Sequence, residues 1–436
     1  MYEKVSREMM EFIQKSPSCY HVVQNFCEML GSEGYQELQE ENKWRLEKGG
    51  KYYITRNDSS LIAFQIPDGE IKNFQIAASH SDSPSFKVKE NPDIKVDGHY
   101  VELNTEKYGG MICAPWFDRP LSVAGKAVVR STDGVCSRLV HIDRDLVMIP
   151  NVAIHMNHKL NDGYTYNAQK DMIPLFGDET AEGSFRKLLA ENLGVPEEDI
   201  LSTDLFLYTR MPGTVWGANR EFISCTRLDD LQCAYASIRG LLAGGHPESI
   251  SVCCVFDNEE VGSGTKQGAA STMMQDVLER ICICLGKDRE EYKMLVANSF
   301  MLSADNAHAV HPHHLDKADP TNRPYMNRGV VIKYNANQKY TTDSVSAAVF
   351  QEICRKAGVP VQSYVNRSDV PGGSTLGNIA NRQVSLNTVD IGLPQLAMHS
   401  PYETAGIRDT WYLIQAVTAF YSTAILKADG QYKLLF

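Results

Sequence analysis

After Arg227 the chain alternates strand-length apolar runs with helix-length amphipathic ones, and that alternation leaves few folds open. Leu231–Leu242 has helical spacing, SVCCVFD (Ser251–Asp257) reads as a buried strand, and Ala270–Leu285 is helical again. The Met294–Ser303 stretch leads into a turn, and Val345–Ala357 is a helix closed by Gly358. VSLNTVDIG (Val384–Gly392) reads as a strand and Trp411–Lys427 as the last helix. Strands that alternate with helices imply a largely parallel sheet.

The first 91 residues suit the same sheet. Met9, Phe12, Ile13, Val22, Val23 and Phe26 fall at helical spacing, and Tyr52–Thr55 and Leu61–Gln65 are strand-like. FQIAAS (Phe74–Ser79) is a short apolar strand that runs into His80. From about Pro92 to Ser224 the texture changes. Short alternating runs (Tyr100–Leu103, Val123–Val129, Leu139–Ile142, Leu201–Thr209) are separated by Gly, Pro, Asn and Asp, which is a β-rich signature. The expected organisation is one α/β domain, residues 1–91 and 226–436, split by an inserted β-rich domain at 92–225. A length of 436 residues suits two domains.

Charge narrows the partners. The chain carries 43 Lys and Arg against 54 Asp and Glu, a net charge of −11, which disfavours nucleic acid and anionic membranes as partners. The first 16 residues are charged throughout and lack the apolar core of a signal peptide. The longest uncharged apolar stretch, from Trp411 to just before Lys427, is shorter than the ~20 residues a membrane helix needs. Eleven scattered cysteines with no CxxC read as reduced thiols. A cytoplasmic protein is the expectation.

Five places hold the chemically interesting side chains: His80-Ser81-Asp82, Asp229-Asp230, Glu259-Glu260, Asp305 and His399. Four of the five follow apolar strand-like runs, and open α/β sheets gather their sites at the carboxyl ends of strands. Two histidines with three or more carboxylates and no cysteine suit a hydrolytic zinc, cobalt or manganese site better than a structural zinc site. A two-metal centre needs a bridging carboxylate, with ions ~3.5–4 Å apart, and a free carboxylate to take a proton. The adjacent glutamates can divide ligation from general-base work. Asp82, two residues after His80, has the look of its orienting partner. The glycine-rich segments Val261–Gly268 and Pro371–Gly377 lack P-loop spacing and read as turns lining the cleft. Among His308, His311, His313 and His314, His308 is the best supporting candidate.

These residues carry a resemblance. ASHSDSP (Ala78–Pro84), TRLDDL (Thr226–Leu231), FDNEEVGS (Phe256–Ser263), SADNAHAVHP (Ser303–Pro312), VIKYN (Val331–Asn335) and PQLAMHS (Pro394–Ser400) resemble the aspartyl aminopeptidase family of co-catalytic zinc aminopeptidases. WFDRPLS (Trp116–Ser122) and IPNVAIH (Ile149–His155) match inside the insertion. The resemblance implies a phosphorylase/hydrolase-like catalytic domain with a central mixed, mostly parallel sheet flanked by helices, plus an inserted dimerisation domain. It implies two divalent ions per subunit, zinc first and cobalt or manganese next. His80, Asp229 and Asp305 would hold one ion, and Asp229, Glu260 and His399 the other, with Asp229 bridging. Glu259 would be the general base, Asp82 would orient His80, and His155 would reach into a partner subunit's site. Lys333, with Tyr340 nearby, would read an acidic N-terminal side chain of a peptide substrate. Dimers would build a dodecamer. Asp230 stands where many relatives of the wider clan carry Asn. The alternatives are an aminopeptidase for neutral or apolar residues, an N-acyl amino acid deacylase, and an inactive scaffold.

Overall fold

The computed structural model describes residues 1–428 and 430–436. Its spine is a nine-stranded mixed sheet in the order Gln36–Glu37, Lys51–Arg56, Ser60–Gln65, Ser249–Phe256, Asn73–His80, Phe300–Ala304, Asn387–Gly392, Val330–Tyr334, Val361–Val365. The four central strands, from Ser249–Phe256 to Asn387–Gly392, are mutually parallel. Antiparallel pairs flank them on both sides. The α/β expectation is met.

The strands are apolar on both faces because helices cover both. Alternate residues sort accordingly. Ala77, Cys253, Val255, Leu302 and Ile391 pack against helices Tyr2–Gln14, Cys19–Ser32, Leu228–Ala243, Ser344–Ala357 and Asp409–Tyr421. Ile76, Ala78, Val252, Cys254 and Met301 face helices Met273–Cys284, Arg289–Ala297 and Leu376–Ala380. The adjacent thiols Cys253 and Cys254 thus enter different cores, and every cysteine is free.

A second, six-stranded antiparallel sheet uses strands between Ser85 and Thr209 and has a core of its own. Strand Thr214–Trp216 pairs instead with Phe222–Cys225, and Phe222–Cys225 with Glu403–Gly406, in a small third sheet. The inserted unit also holds a helix, Ser184–Leu193, between left-handed Gly183 and Gly194; its Phe185, Leu189 and Leu193 fill that core. The β-rich reading of this region did not include it. The C-terminus differs too. The last helix ends at Tyr421, and Ala424–Ala428 is a strand that pairs with Gln431–Leu435. Ser422 and Thr423 sit at the junction; Thr423 caps back to the Ala419 carbonyl, and β-branched Ile425 is buried in the main core. Among the described residues no helix is long and apolar enough to cross a membrane.

Candidate metal centre

The parallel strands deliver the polar residues to one end. His80 is the last residue of its strand, Asp257-Asn258-Glu259-Glu260 follow Phe256, and Asp305 follows Ala304. His399 arrives on the turn after Pro394–Leu396, and Asp229-Asp230 stand at the head of the helix from Leu228, with a cis peptide between them.

Asp229 organises the group. Its Oδ1 lies 3.6 Å from His80 Nε2, and its Oδ2 lies 3.5 Å from His399 Nε2. His80 Nε2 is 4.0 Å from Asp305 Oδ1, and His399 Nε2 is 3.3 Å from Glu260 Oε2. One carboxylate therefore turns one oxygen to His80 and Asp305 and the other to Glu260 and His399. Ligand-type atoms lie within 4.8 Å of one another in three sets: His80, Asp229, Asp230, Asp305; His80, Glu259, Glu260; and Asp229, Glu260, His399.

Both imidazoles are oriented by oxygen. His80 Nδ1 donates to the Asp82 carbonyl at 3.0 Å with Asp82 Oδ1 at 3.3 Å, and His399 Nδ1 donates to the Gly110 carbonyl at 2.5 Å. Each Nε2 is left as a lone-pair donor facing the cluster. Asp82 is braced in turn by the Tyr108 hydroxyl at 2.7 Å. Tyr108 and Gly110 both come from the inserted unit.

The donor set fits cations. Asp229 Oδ1 and Glu260 Oε1 are buried without a hydrogen-bond donor. Burial, reinforced by neighbouring carboxylates, pushes Glu260 well up and Glu259 up to about 8. Burial also raises Asp305, against the pull of Lys333. Two imidazole nitrogens and hard carboxylate oxygens without thiolate are the donors hydrolytic zinc, cobalt or manganese accept. Asp230 is the exception within the first set. Its two oxygens already accept the backbone N–H of His80 and of Asn306, each at 3.2 Å.

Beside the cluster opens a cleft of about 370 Å³, lined by Glu259, His308, Tyr340, Tyr364, Met398 and Lys333 among others. Lys333 is buried, not an exposed strand lysine. Its Nζ donates to the Asp305 carbonyl at 2.8 Å, stands 3.4 Å from Asp305 Oδ2, and lies 5.3 Å from the Tyr340 ring centre. His308 lines the cleft as well. The turn after Pro371 lines it through Gly373, Ser374 and Thr375, as the glycine-rich spacing suggested, and Val261–Gly268 touches it through Gly262.

His155 is elsewhere. It is exposed and outside the lining of this cleft. Its loop is anchored by Asp118 of the WFD segment, which accepts the Asn151 N–H at 2.9 Å and the Asn151 side-chain amide at 2.6 Å.

Sequence reasoning missed Glu403. Buried four residues after His399, it accepts the backbone N–H of Asp229 at 2.9 Å and of His399 at 2.7 Å. The only signal was a carboxylate in the MHSPYE run.

Comparison with known proteins agrees with the arrangement. Residues 12–421 match the family model described as "Aminopeptidase I zinc metalloprotease (M18)". The chain belongs to the M18 family. It is an aminopeptidase of that zinc metalloprotease class. A "Probable M18 family aminopeptidase 2" of Clostridium acetobutylicum is 46% identical over 425 residues, 96% of this chain and 98% of that one. The Stutzerimonas stutzeri protein of the same description is 39% identical over 435 residues, 98% of this chain and 100% of that one. Among solved M18-like structures, a chain of the Ape4 and Nbr1 complex superposes with a TM-score of 0.92 at 35% identity, covering 97% of this chain and 86% of that chain. A chain of the yeast mApe1 dodecamer superposes at 0.85 and 26% identity, covering 96% and 97%. The family membership makes the deacylase and scaffold alternatives unnecessary.

Proposed function

We propose that this M18 aminopeptidase removes acidic N-terminal residues from peptides at a two-ion centre. The supporting observation is the bridge: Asp229 presents one oxygen to each of two ligand groups. His80, Asp229 and Asp305 would hold one ion, and Asp229, Glu260 and His399 the other; zinc is the first choice, cobalt or manganese the next. When bound, such ions supply Lewis acidity and an acidified water. The protein's own residues do the rest. Glu259, in the cleft and bound to neither imidazole, takes a proton from the attacking water and returns it to the leaving amine nitrogen. Asp82 keeps the His80 Nδ1 proton in place, so Nε2 stays a donor.

Acid preference rests on Lys333, the one lysine or arginine lining the cleft among the described residues. A substrate carboxylate would share this ammonium with Asp305. That sharing favours a second reading, a neutral or apolar preference, with Tyr364, Met398 and Ile379 as the wall. His155 serves a second copy of the chain, donating a hydrogen bond to the oxyanion. The insertion, read as residues 92–225, is the dimerisation domain, and dimers assemble further, as a structural relative described as a dodecamer does.

Release of the first residue from Asp-Ala-Phe and Leu-Ala-Phe, with zinc, cobalt or manganese and with a chelator, is the test. Faster cleavage of the Asp peptide supports the proposal. Faster cleavage of the Leu peptide keeps the centre and removes Lys333 as the reader. No cleavage with any metal overturns the reading.

A further inference from the structure

Three buried carboxylates grip the main chain on which the ligands sit. Asp82 accepts the N–H groups of Glu259 and Glu260 at 3.1 and 3.2 Å. Asp230 accepts those of His80 and Asn306, both at 3.2 Å. Glu403 accepts those of Asp229 and His399, at 2.9 and 2.7 Å, and a third hydrogen bond from Gln395 Nε2 at 3.3 Å. Asp230 and Glu403 are 0% and 1% exposed, so water cannot replace them. Charge-assisted bonds to backbone N–H are about twice as strong as neutral ones.

The pairing is selective. Asp230 ties the strand end carrying His80 to the residue after Asp305. Glu403 ties Asp229 to His399. His399 needs such a clamp, because its backbone is left-handed at φ 68°, on a half-buried turn. We infer that Glu403 is a positioning residue for the ion held by Asp229, Glu260 and His399, and that Asp230 does the same for the ion held by His80 and Asp305. The inference rests on the two-ion reading above.

The substitution Glu403→Gln tests it with little change of volume. A glutamine offers one acceptor oxygen where two N–H donors converge, so one of the two bonds is lost. Chelator-stripped full-length protein is titrated with Co²⁺, followed by visible absorbance and calorimetry. His399→Ala and His80→Ala identify which binding step belongs to which subsite. Wild type takes two ions. E403Q is expected to weaken the step that His399→Ala deletes by about 10–100-fold, the range typical of groups that orient ligands, and to weaken the other step less, because of the two residues it clamps only Asp229 also serves that ion. Asp230→Asn is expected to give the reverse pattern. Equal weakening of both steps, or no change in either, overturns the inference while the two-ion reading stands. A wild type that takes up fewer than two ions overturns that reading itself. If E403Q does not fold, Glu403→Asp, which keeps both acceptor oxygens one methylene further back, is expected to show the same selectivity with a smaller loss, and equal effects on both steps overturn the inference there too.

Discussion

The metal cluster and the 150–163 loop both hold residues with proposed roles, and they are built in opposite ways. The cluster is cross-braced: five carboxylates and two imidazoles, with His80, Asp229, Asp230 and Asp305 buried and Glu259, Glu260 and His399 half-buried, and with their backbones clamped by Asp82, Asp230 and Glu403. The loop is open. Val152, Ile154 and Met156 are exposed, Met156 by 82%, and only its base is fixed, through Asp118 and Asn151. Precision within one chain comes from burial and internal hydrogen bonds. Apolar side chains left in water are where the proposed second chain would complete the job.

The largest effect expected on this contrast is Glu259→Gln. Turnover of the Asp peptide falls by about 10³-fold while ion content, read by elemental analysis, stays at the wild-type level. Ion loss in E259Q would make Glu259 a ligand and not the base.

The joint between the two units comes next. His21 is buried, hydrogen-bonded to the Ser18 hydroxyl at 2.8 Å, and stands edge-on to His141 of the inserted sheet at 5.5 Å. Burial, then the neighbouring His141 and Arg227, holds its pKa down at about 4 from 6.5. Because the folded value is the lower one, the unfolded chain takes up the proton first. Stability is full above pH 6.5 and is lost as pH falls toward 4, by up to about 3 kcal/mol. His21→Gln is expected to flatten that acid limb in urea melts at pH 7.5 and 5; an unchanged limb would assign it elsewhere.

His155→Ala should lower kcat by about 10²-fold, the scale of one oxyanion donor, without altering ion content or Tm. The signature is complementation: mixing H155A with E259Q, each nearly inactive, restores part of the activity if the histidine acts on a partner's site. Smallest is Met156→Glu, expected to weaken self-association about tenfold, read by mass photometry across a dilution series.

Much of this is legible in the sequence. The runs ending at Ser79, Asp257 and Ala304 announced parallel strands, and parallel strands collect their carboxyl ends at one edge, so His80, Glu259 and Asp305 had to be neighbours. Glu403 was not legible, because its partners are backbone N–H groups, and those are invisible in a string of side-chain names. Nor was the Lys333 contact with Asp305, since it depends on the strand order, which sets Val330–Tyr334 one strand away from Phe300–Ala304 across Asn387–Gly392. The C-terminal hairpin was hidden by a run of apolar residues equally suited to helix or strand; pairing with Gln431–Leu435 decided between them. The insertion's helix was masked by the turn residues on either side of it.

The hydrogen bond from His399 to the Gly110 carbonyl makes the two units a single inheritance. A catalytic unit excised at its borders would keep every ligand yet lose the acceptor that sets which nitrogen of His399 faces the ion. Shuffling the insertion between relatives, or deleting it to obtain a minimal enzyme, therefore exchanges part of the candidate site along with the proposed interface. Such chimeras should be cut beyond Tyr108 and Gly110, not at the edge of the sheet.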